Sequence, residues 1–302
     1  MLFPTDDIRN EKLSDILFDK MQVSVTVLRL DTIHPVVSGN KLFKLHYFLE
    51  NAIKGSYEDI VTFGGAWSNH LVATAFAGKQ MELNTIGIVR GEQPKKLSTT
   101  LSNCLQYGMQ LHFIPRELYD QKDEHGFINS LNKDCQHKLV IPEGGYHPAG
   151  ANGAALIMQF VPNDATHICT AAGTATTLAG LLMGAKKEQQ IIGIPVLKGM
   201  MDLPERIAYL TNNKFDKNQL AIMPDYHFGG YAKKTPALID FMNEFYKKHA
   251  IPTDFVYTAK MMYGVFDLID KGYFKKGSNI ICIHTGGLQG NLSLPPGTLA
   301  FN

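Results

Sequence analysis

Short β-rich runs recur along this chain, each closed by glycine or proline and each followed by a longer stretch with helical patterning. No other feature constrains the fold as strongly, because this is the rhythm of βαβ units and it implies a parallel sheet. The runs fall into two sets. The first comprises DIVTFGG from Asp59, NTIGIVRG from Asn84, MQLHFIP from Met109 and LVIPEGG from Leu139. The second comprises HICTAAG from His167, QIIGIPVL from Gln190, DFVYT from Asp254 and NIICIHTGG from Asn279. Between them, ANGAALIMQFV from Ala151 reads as a helix leading out of the first set, and it marks the expected domain boundary. In open α/β sheets ligands sit beyond the carboxyl ends of the strands, so the informative loops are those that follow each run.

At 302 residues the chain can bury a sizeable core in two αβ domains. Lys+Arg 29 against Asp+Glu 28 leaves a net charge of +1, so no global field gathers nucleic acid or an anionic membrane, and a small molecule is the expected ligand. Cys104, Cys135, Cys169 and Cys282 are scattered, with no C-x-x-C pair and no histidine at zinc-finger spacing. They read as reduced thiols of a cytoplasmic protein, and no metal site is expected. The amino terminus carries acidic residues where a signal peptide would be basic, and no segment is apolar for long enough to cross a membrane.

Several of the loops carry unusual residues. Ser38-Gly39-Asn40-Lys41 places a lysine after a Gly-Asn turn at the start of a helix reading KLFKLHYFLENAI. There, the positive end of the helix dipole and a second cation at Lys44 disfavour the ammonium form, which makes Lys41 a candidate nucleophile for an aldehyde. On its own the segment reads more readily as an ordinary surface turn. Ser68, Asn69 and His70 follow Phe63-Gly64-Gly65-Ala66-Trp67 and open a helix whose amino terminus suits a carboxylate; the alternative is a plain helix cap. Gly173, Thr174, Ala175, Thr176 and Thr177 again run from strand to helix, where backbone amides and hydroxyls can cradle a single phosphate or simply pack closely. Neither a Walker loop nor a dinucleotide fingerprint is present there. Tyr257 can transfer protons and Thr258 can bond a cofactor ring nitrogen, while His284-Thr285-Gly286-Gly287 closes the last strand.

In this order the segments resemble the 1-aminocyclopropane-1-carboxylate deaminase and D-cysteine desulfhydrase family of fold-type-II pyridoxal-phosphate enzymes, from about residue 27 to residue 288. The family's Gly-Gly-Asn-Lys-x-Arg-Lys-Leu matches residues 38–45, which implies that Lys41 is the Schiff-base lysine. Its Ser-Asn-His matches Ser68, Asn69 and His70, implying that Asn69 meets the cofactor's phenolic oxygen and Ser68 the substrate carboxylate. Residues 173–177 resemble its phosphate loop, and Val-Tyr-Thr-Gly-Lys matches residues 256–260, implying a catalytic Tyr257 and a ring-nitrogen partner in Thr258. Ser38, Phe43 and Ala259 depart from these motifs. The family's Tyr-Gly-x-Pro-Asn becomes Tyr231-Ala232-Lys233-Lys234-Thr235, which keeps the pocket tyrosine and leaves the backbone after it open.

The resemblance implies an α/β fold of two open twisted sheets with flanking helices, similar to the β subunit of tryptophan synthase. Residues 1–41 and 151–302 would form a large domain that binds pyridoxal 5'-phosphate, and residues 42–150 a small αβ domain, with the cofactor in the cleft between them. The expected assembly is a homodimer and the expected substrate a small amino acid. D-cysteine desulfhydrase-like β-elimination is the leading expectation, because Thr258 stands where the family's deaminases carry glutamate. Alternatives are cyclopropane-acid deamination, a D-serine dehydratase or racemase reaction, and a non-catalytic cofactor carrier.

Overall fold

The structure, a computed structural model, describes residues 2–34, 38–124, 126–127 and 138–301. Among these residues the strands form two sheets. The larger has the order β1 (Arg9–Lys12), β2 (Ser24–Arg29), β10 (Asn279–His284), β7 (His167–Ala172), β8 (Gln190–Pro195), β9 (Leu220–Ile222). The smaller has the order β5 (Gln110–Ile114), β4 (Asn84–Arg90), β3 (Asp59–Gly64), β6 (Lys138–Ile141). Only β1 runs antiparallel to its neighbour β2; the remaining pairs are parallel.

All four runs of the first set lie in the smaller sheet, and three of the second set lie in the larger. The exception is DFVYT. Residues 254–257 form a loop and turn, and Thr258 already begins the helix Thr258–Asp270. The aromatic, β-branched composition suggests a strand, but the Asp254 carboxylate captures the amides that follow and turns the chain into a helix. Three strands, β1, β2 and β9, lie outside the expected runs. Cys135 lies outside the described residues, whereas Cys104, Cys169 and Cys282 are buried free thiols.

Strands covered on both faces read as nearly unbroken apolar runs. On one face of the larger sheet Ile168, Ile191, Ile281 and Ile283 meet Leu178, Leu181 and Leu182; on the other, Cys169, Ile192, Ile194 and Cys282 meet Met261, Met262 and Val265. Each such fully buried side chain stabilises the fold by roughly 1.5–3 kcal/mol. The helix Asn40–Lys54 joins the two halves. Its Leu42, Leu45, Leu49 and Ala52, at helical spacing, enter the core of the smaller sheet, while Phe43 points into that of the larger. Against it lies the helix Pro148–Ala155, so close that a Cβ on Gly153 would stand 2.1 Å from the Phe43 carbonyl oxygen. That helix starts three residues before Ala151, because His147 caps it and Pro148 occupies its first turn. The carboxyl ends of β3, β6, β7 and β10 lead into loops that open on one cleft.

Candidate functional site

The cleft takes its walls from both sheets, with Asn69 and Gly144 on the smaller side and residues 173–177, Tyr257, Thr285 and Gly286 on the larger. Lys41 and Lys44 project into it from the connecting helix. Of the residues singled out in the sequence, Lys41, Asn69, Gly173, Thr174, Ala175, Thr176, Thr177 and Tyr257 line the cleft. Ser68, His70, Tyr231 and Thr258 are not part of that lining.

Lys41 owes its position to a close docking of two loops. Gly39 has φ +82°, and a Cβ there would come within 1.9 Å of the Thr285 carbonyl oxygen, so only glycine lets the chain turn at this point. The Asn40 amide then donates to Thr285 O at 3.2 Å. Behind Thr285, the wholly buried ring of His284 reaches the Pro252 carbonyl at 2.8 Å and Asp31 at 3.1 Å, and Arg29 holds Asp31 through two hydrogen bonds. The lysine turn and the His-Thr-Gly-Gly turn are thus one packed unit.

The Lys41 Nζ donates to Asn40 Oδ1 at 2.8 Å. Burial lowers its pKa to about 8, against a smaller upward pull from Asp254. Desolvation therefore outweighs the helix-terminus and Lys44 effects expected from sequence. Lys44 is buried too, donates to Gly144 O at 3.1 Å, and is held well below the ordinary lysine range by burial and by Lys41.

Across the cleft, Ala175 adopts a left-handed conformation (φ 68°) that turns β7 into the nine-residue helix Thr176–Gly184, and Thr174 and Thr176 share a hydroxyl bond of 2.9 Å. The backbone amides and small side chains that open this helix are of the kind that suits an anion, with Lys41 and Lys44 on the same cleft.

On the smaller-sheet side, Ser68 caps the helix Asn69–Gln80 by accepting from the Leu71 amide at 3.3 Å, the capping role anticipated as its alternative. His70 Nε2 donates to Thr62 Oγ1 at 3.0 Å, since that hydroxyl gives its own proton to Ile141 O. Burial, then Lys41 and Lys44, depress the His70 pKa to about 3, so the ring is neutral. Asn69 Oδ1 is buried without a protein partner. Such an unpaired atom costs about 1–3 kcal/mol, a cost that a bound polar group would relieve.

The residue that sequence reading missed is Asp254. Its carboxylate accepts from the amides of Val256, Tyr257 and Thr258 and from the Thr258 hydroxyl, all within 2.7–2.9 Å. Thr258 is fully buried, and its hydroxyl also accepts from the Asp254 amide at 2.7 Å. The signal available was an acidic residue four positions before a helix, masked by the strand-like DFVYT. Tyr257 holds its phenol proton well above the ordinary range, through burial and then Tyr231. The Tyr231 ring lies edge-on to it at 6.1 Å and is 55% exposed, at the rim.

A depressed lysine amine, a helix terminus suited to an anion and the unpaired buried Asn69 Oδ1 in one cleft fit the aldehyde, phosphate and ring oxygen of pyridoxal phosphate. Among the described residues no group of His, Cys, Asp and Glu side chains is arranged to hold a metal ion, and no helix is long and apolar enough to cross a membrane.

Comparison with known proteins bears on the same cleft. The family model described as pyridoxal-phosphate dependent enzyme matches residues 6–286. A "Putative 1-aminocyclopropane-1-carboxylate deaminase" of Pyrococcus abyssi is 29% identical over 287 residues, covering 90% of this chain and 86% of that protein. A "D-cysteine desulfhydrase" of Klebsiella pneumoniae subsp. pneumoniae is 27% identical over 293 residues, covering 90% and 89%. Among solved structures, one described as an ACC deaminase homologue superposes with a TM-score of 0.79 at 27% identity, covering 96% of this chain and 92% of that one. The processed threonine deaminase isoform 2 of Solanum lycopersicum shares the fold, with a TM-score of 0.70 at 15% identity over 93% of this chain and 79% of its own.

Proposed function

Because the chain belongs to the pyridoxal-phosphate dependent enzyme family, we propose that it is a lyase of small D-amino acids, with D-cysteine or a close β-substituted analogue as substrate and pyruvate, ammonia and sulfide as products. What supports this reading is the neutral hydroxyl of Thr258, with no glutamate at its position; Thr258 directly follows the cleft-lining Tyr257, and its hydroxyl donates to Asp254 Oδ1 at 2.7 Å. Pyridoxal phosphate, when bound, supplies an aldehyde that takes up amines and a ring that accepts electrons from the substrate carbon. The remaining work falls to the chain. Lys41 gains and loses a proton near neutral pH, which suits a base acting at the substrate's α-carbon. Tyr257 stays protonated, so its phenol can donate toward a leaving thiolate.

Residues 173–177 and the two cleft lysines suit the phosphate, and Asn69 the ring oxygen. Ser68, His70 and Tyr231 are assigned to the substrate by family resemblance. In that assignment Ser68 turns from capping toward the carboxylate when substrate binds. Residues 1–41 with 151–302, and 42–150, are proposed as the two domains, and the protein as a cytoplasmic homodimer.

A carboxylate beside a pyridine nitrogen makes the ring a stronger electron sink than a hydroxyl does. Opening an unactivated cyclopropane needs the stronger sink, whereas expulsion of a thiol needs less. A panel of small D- and L-amino acids with the cyclopropane acid, scored for keto acid, ammonia and sulfide, tests this. Activity on the cyclopropane acid with none on D-cysteine rejects the reading.

A further inference from the structure

The most enclosed lysine of the site region is in neither the cleft nor the solvent. Lys260, in the first turn of the helix Thr258–Asp270, has no exposed surface, and its Nζ donates to the carbonyls of His227 at 2.9 Å and Gly230 at 2.7 Å. Asp254 is its compensating charge. A buried ammonium is costly unless paired and hydrogen-bonded, so its retention where a methionine would fill the volume calls for a reason.

The backbone it grips is strained. Phe228 (φ 50°), Gly229 (φ 90°), Gly230 (φ 115°) and Ala232 (φ 52°) are all left-handed, and two of them carry a side chain. The loop's own supports are short-range: Gly230 N to His227 O, Lys233 N to Gly230 O, and Gly229 N to His227 Nδ1. Phe228 packs edge-on against Tyr263, and Tyr231 meets Tyr257 through both a ring contact and a side-chain hydrogen bond, but these ties act on side chains and leave the carbonyls of residues 227 and 230 to Lys260.

We infer that Lys260 is a positioning residue: its ammonium locks residues 227–232 so that Tyr231 stands over Tyr257 at the rim of the cleft. Asp254 ties this clamp to the start of the Tyr257 helix, so one carboxylate serves both tyrosines. The turn that leads into Tyr231 is thus fixed by a lysine on another element, through the carbonyls of His227 and Gly230. The part of this inference that concerns substrate rests on Tyr231 facing the substrate, as proposed above; the part that concerns the loop does not.

The test is amide hydrogen exchange on the cofactor-loaded full chain and its Lys260→Met variant, with steady-state kinetics on D-cysteine. Exchange across residues 227–232 should quicken by at least about tenfold, as loss of charge-assisted bonds to two carbonyls predicts, while residues 265–269 stay as they were. The Michaelis constant should rise with kcat changed far less, and cofactor absorbance should be unaltered. Tyr231→Phe should raise the Michaelis constant without altering loop exchange. Unchanged exchange in 227–232, or a uniform rise through the helix, overturns the inference, and so does a loosened loop with an unchanged Michaelis constant. Without turnover of D-cysteine, the substrate assignment fails while the exchange result still decides the clamp. Lys260→Gln, which keeps a donor without the charge, serves if the methionine variant does not fold; failure of both makes Lys260 a requirement of the whole fold and overturns a local role.

Discussion

The side-chain amide of Asn40 donates to Thr177 Oγ1 at 2.6 Å, while its carbonyl oxygen accepts from Lys41 Nζ at 2.8 Å. One buried residue thus ties the low-pKa lysine of one helix to the first turn of another. Asn40→Ala should loosen both at once. We expect cofactor affinity to fall by about tenfold to a hundredfold, in line with the loss of one or two buried hydrogen bonds, as measured by absorbance titration of the cofactor-free protein. Unchanged affinity would separate the two elements.

The pH response of Lys41 follows from its pKa of about 8, lowered from the ordinary 10.5 by burial. Below that pH the amine is protonated and inert; above it the amine is free. At pH 7 about one-tenth is neutral, against less than about one-thousandth for an ordinary lysine. Reductive methylation of the cofactor-free protein, read by peptide mass, should show Lys41 labelling rise steeply between pH 6 and 8 and level off above about 8. A rise that continues to pH 10, as for exposed lysines, contradicts the burial argument.

Asp254→Asn should act on two properties. The carboxylate raises the pKa of both Lys41 and Lys260, so its removal should shift the Lys41 labelling midpoint below 8. The substitution also weakens a fourfold cap of the helix Thr258–Asp270. A stability loss of about 2–4 kcal/mol is expected, since hydrogen bonds to charged groups are the stronger ones. Urea unfolding of the cofactor-free chain measures it, and a loss under about 0.5 kcal/mol would deny Asp254 that role.

Much of the architecture was legible because buried parallel strands announce themselves as apolar runs, and seven of the eight expected runs are strands. The strands overlooked are the exposed edge β1 (RNEK), the three-residue β9, and β2, whose partner β10 lies far along the chain. That Lys41, Asn69 and residues 173–177 would line one cleft was legible because the turns that open helices are local features of sequence. The hydrogen bonds of Asp254 and the grip of Lys260 on residues 227–230 were not, because each depends on a backbone turn that brings distant groups together. The cause of the Lys41 shift was likewise misjudged, since burial is a property of the fold and not of neighbours in sequence.

Ser68 has two assignments, and one substitution separates them. As a cap bonded to Leu71 N at 3.3 Å, its replacement by alanine should cost about 1 kcal/mol of stability. As the group that receives the substrate carboxylate, the same change should raise the Michaelis constant with little effect on kcat, whereas Lys41→Ala should abolish turnover. Loss of stability with unchanged kinetics would leave Ser68 only its capping role.

The most direct measurement is to load the protein with pyridoxal phosphate, reduce it with borohydride and map the modified peptide. The account predicts a yellow protein and a single adduct on Lys41, the cleft lysine bonded to Asn40 and held near pKa 8. An adduct on Lys44 or Lys260, or a protein that stays colourless with the cofactor, would contradict it.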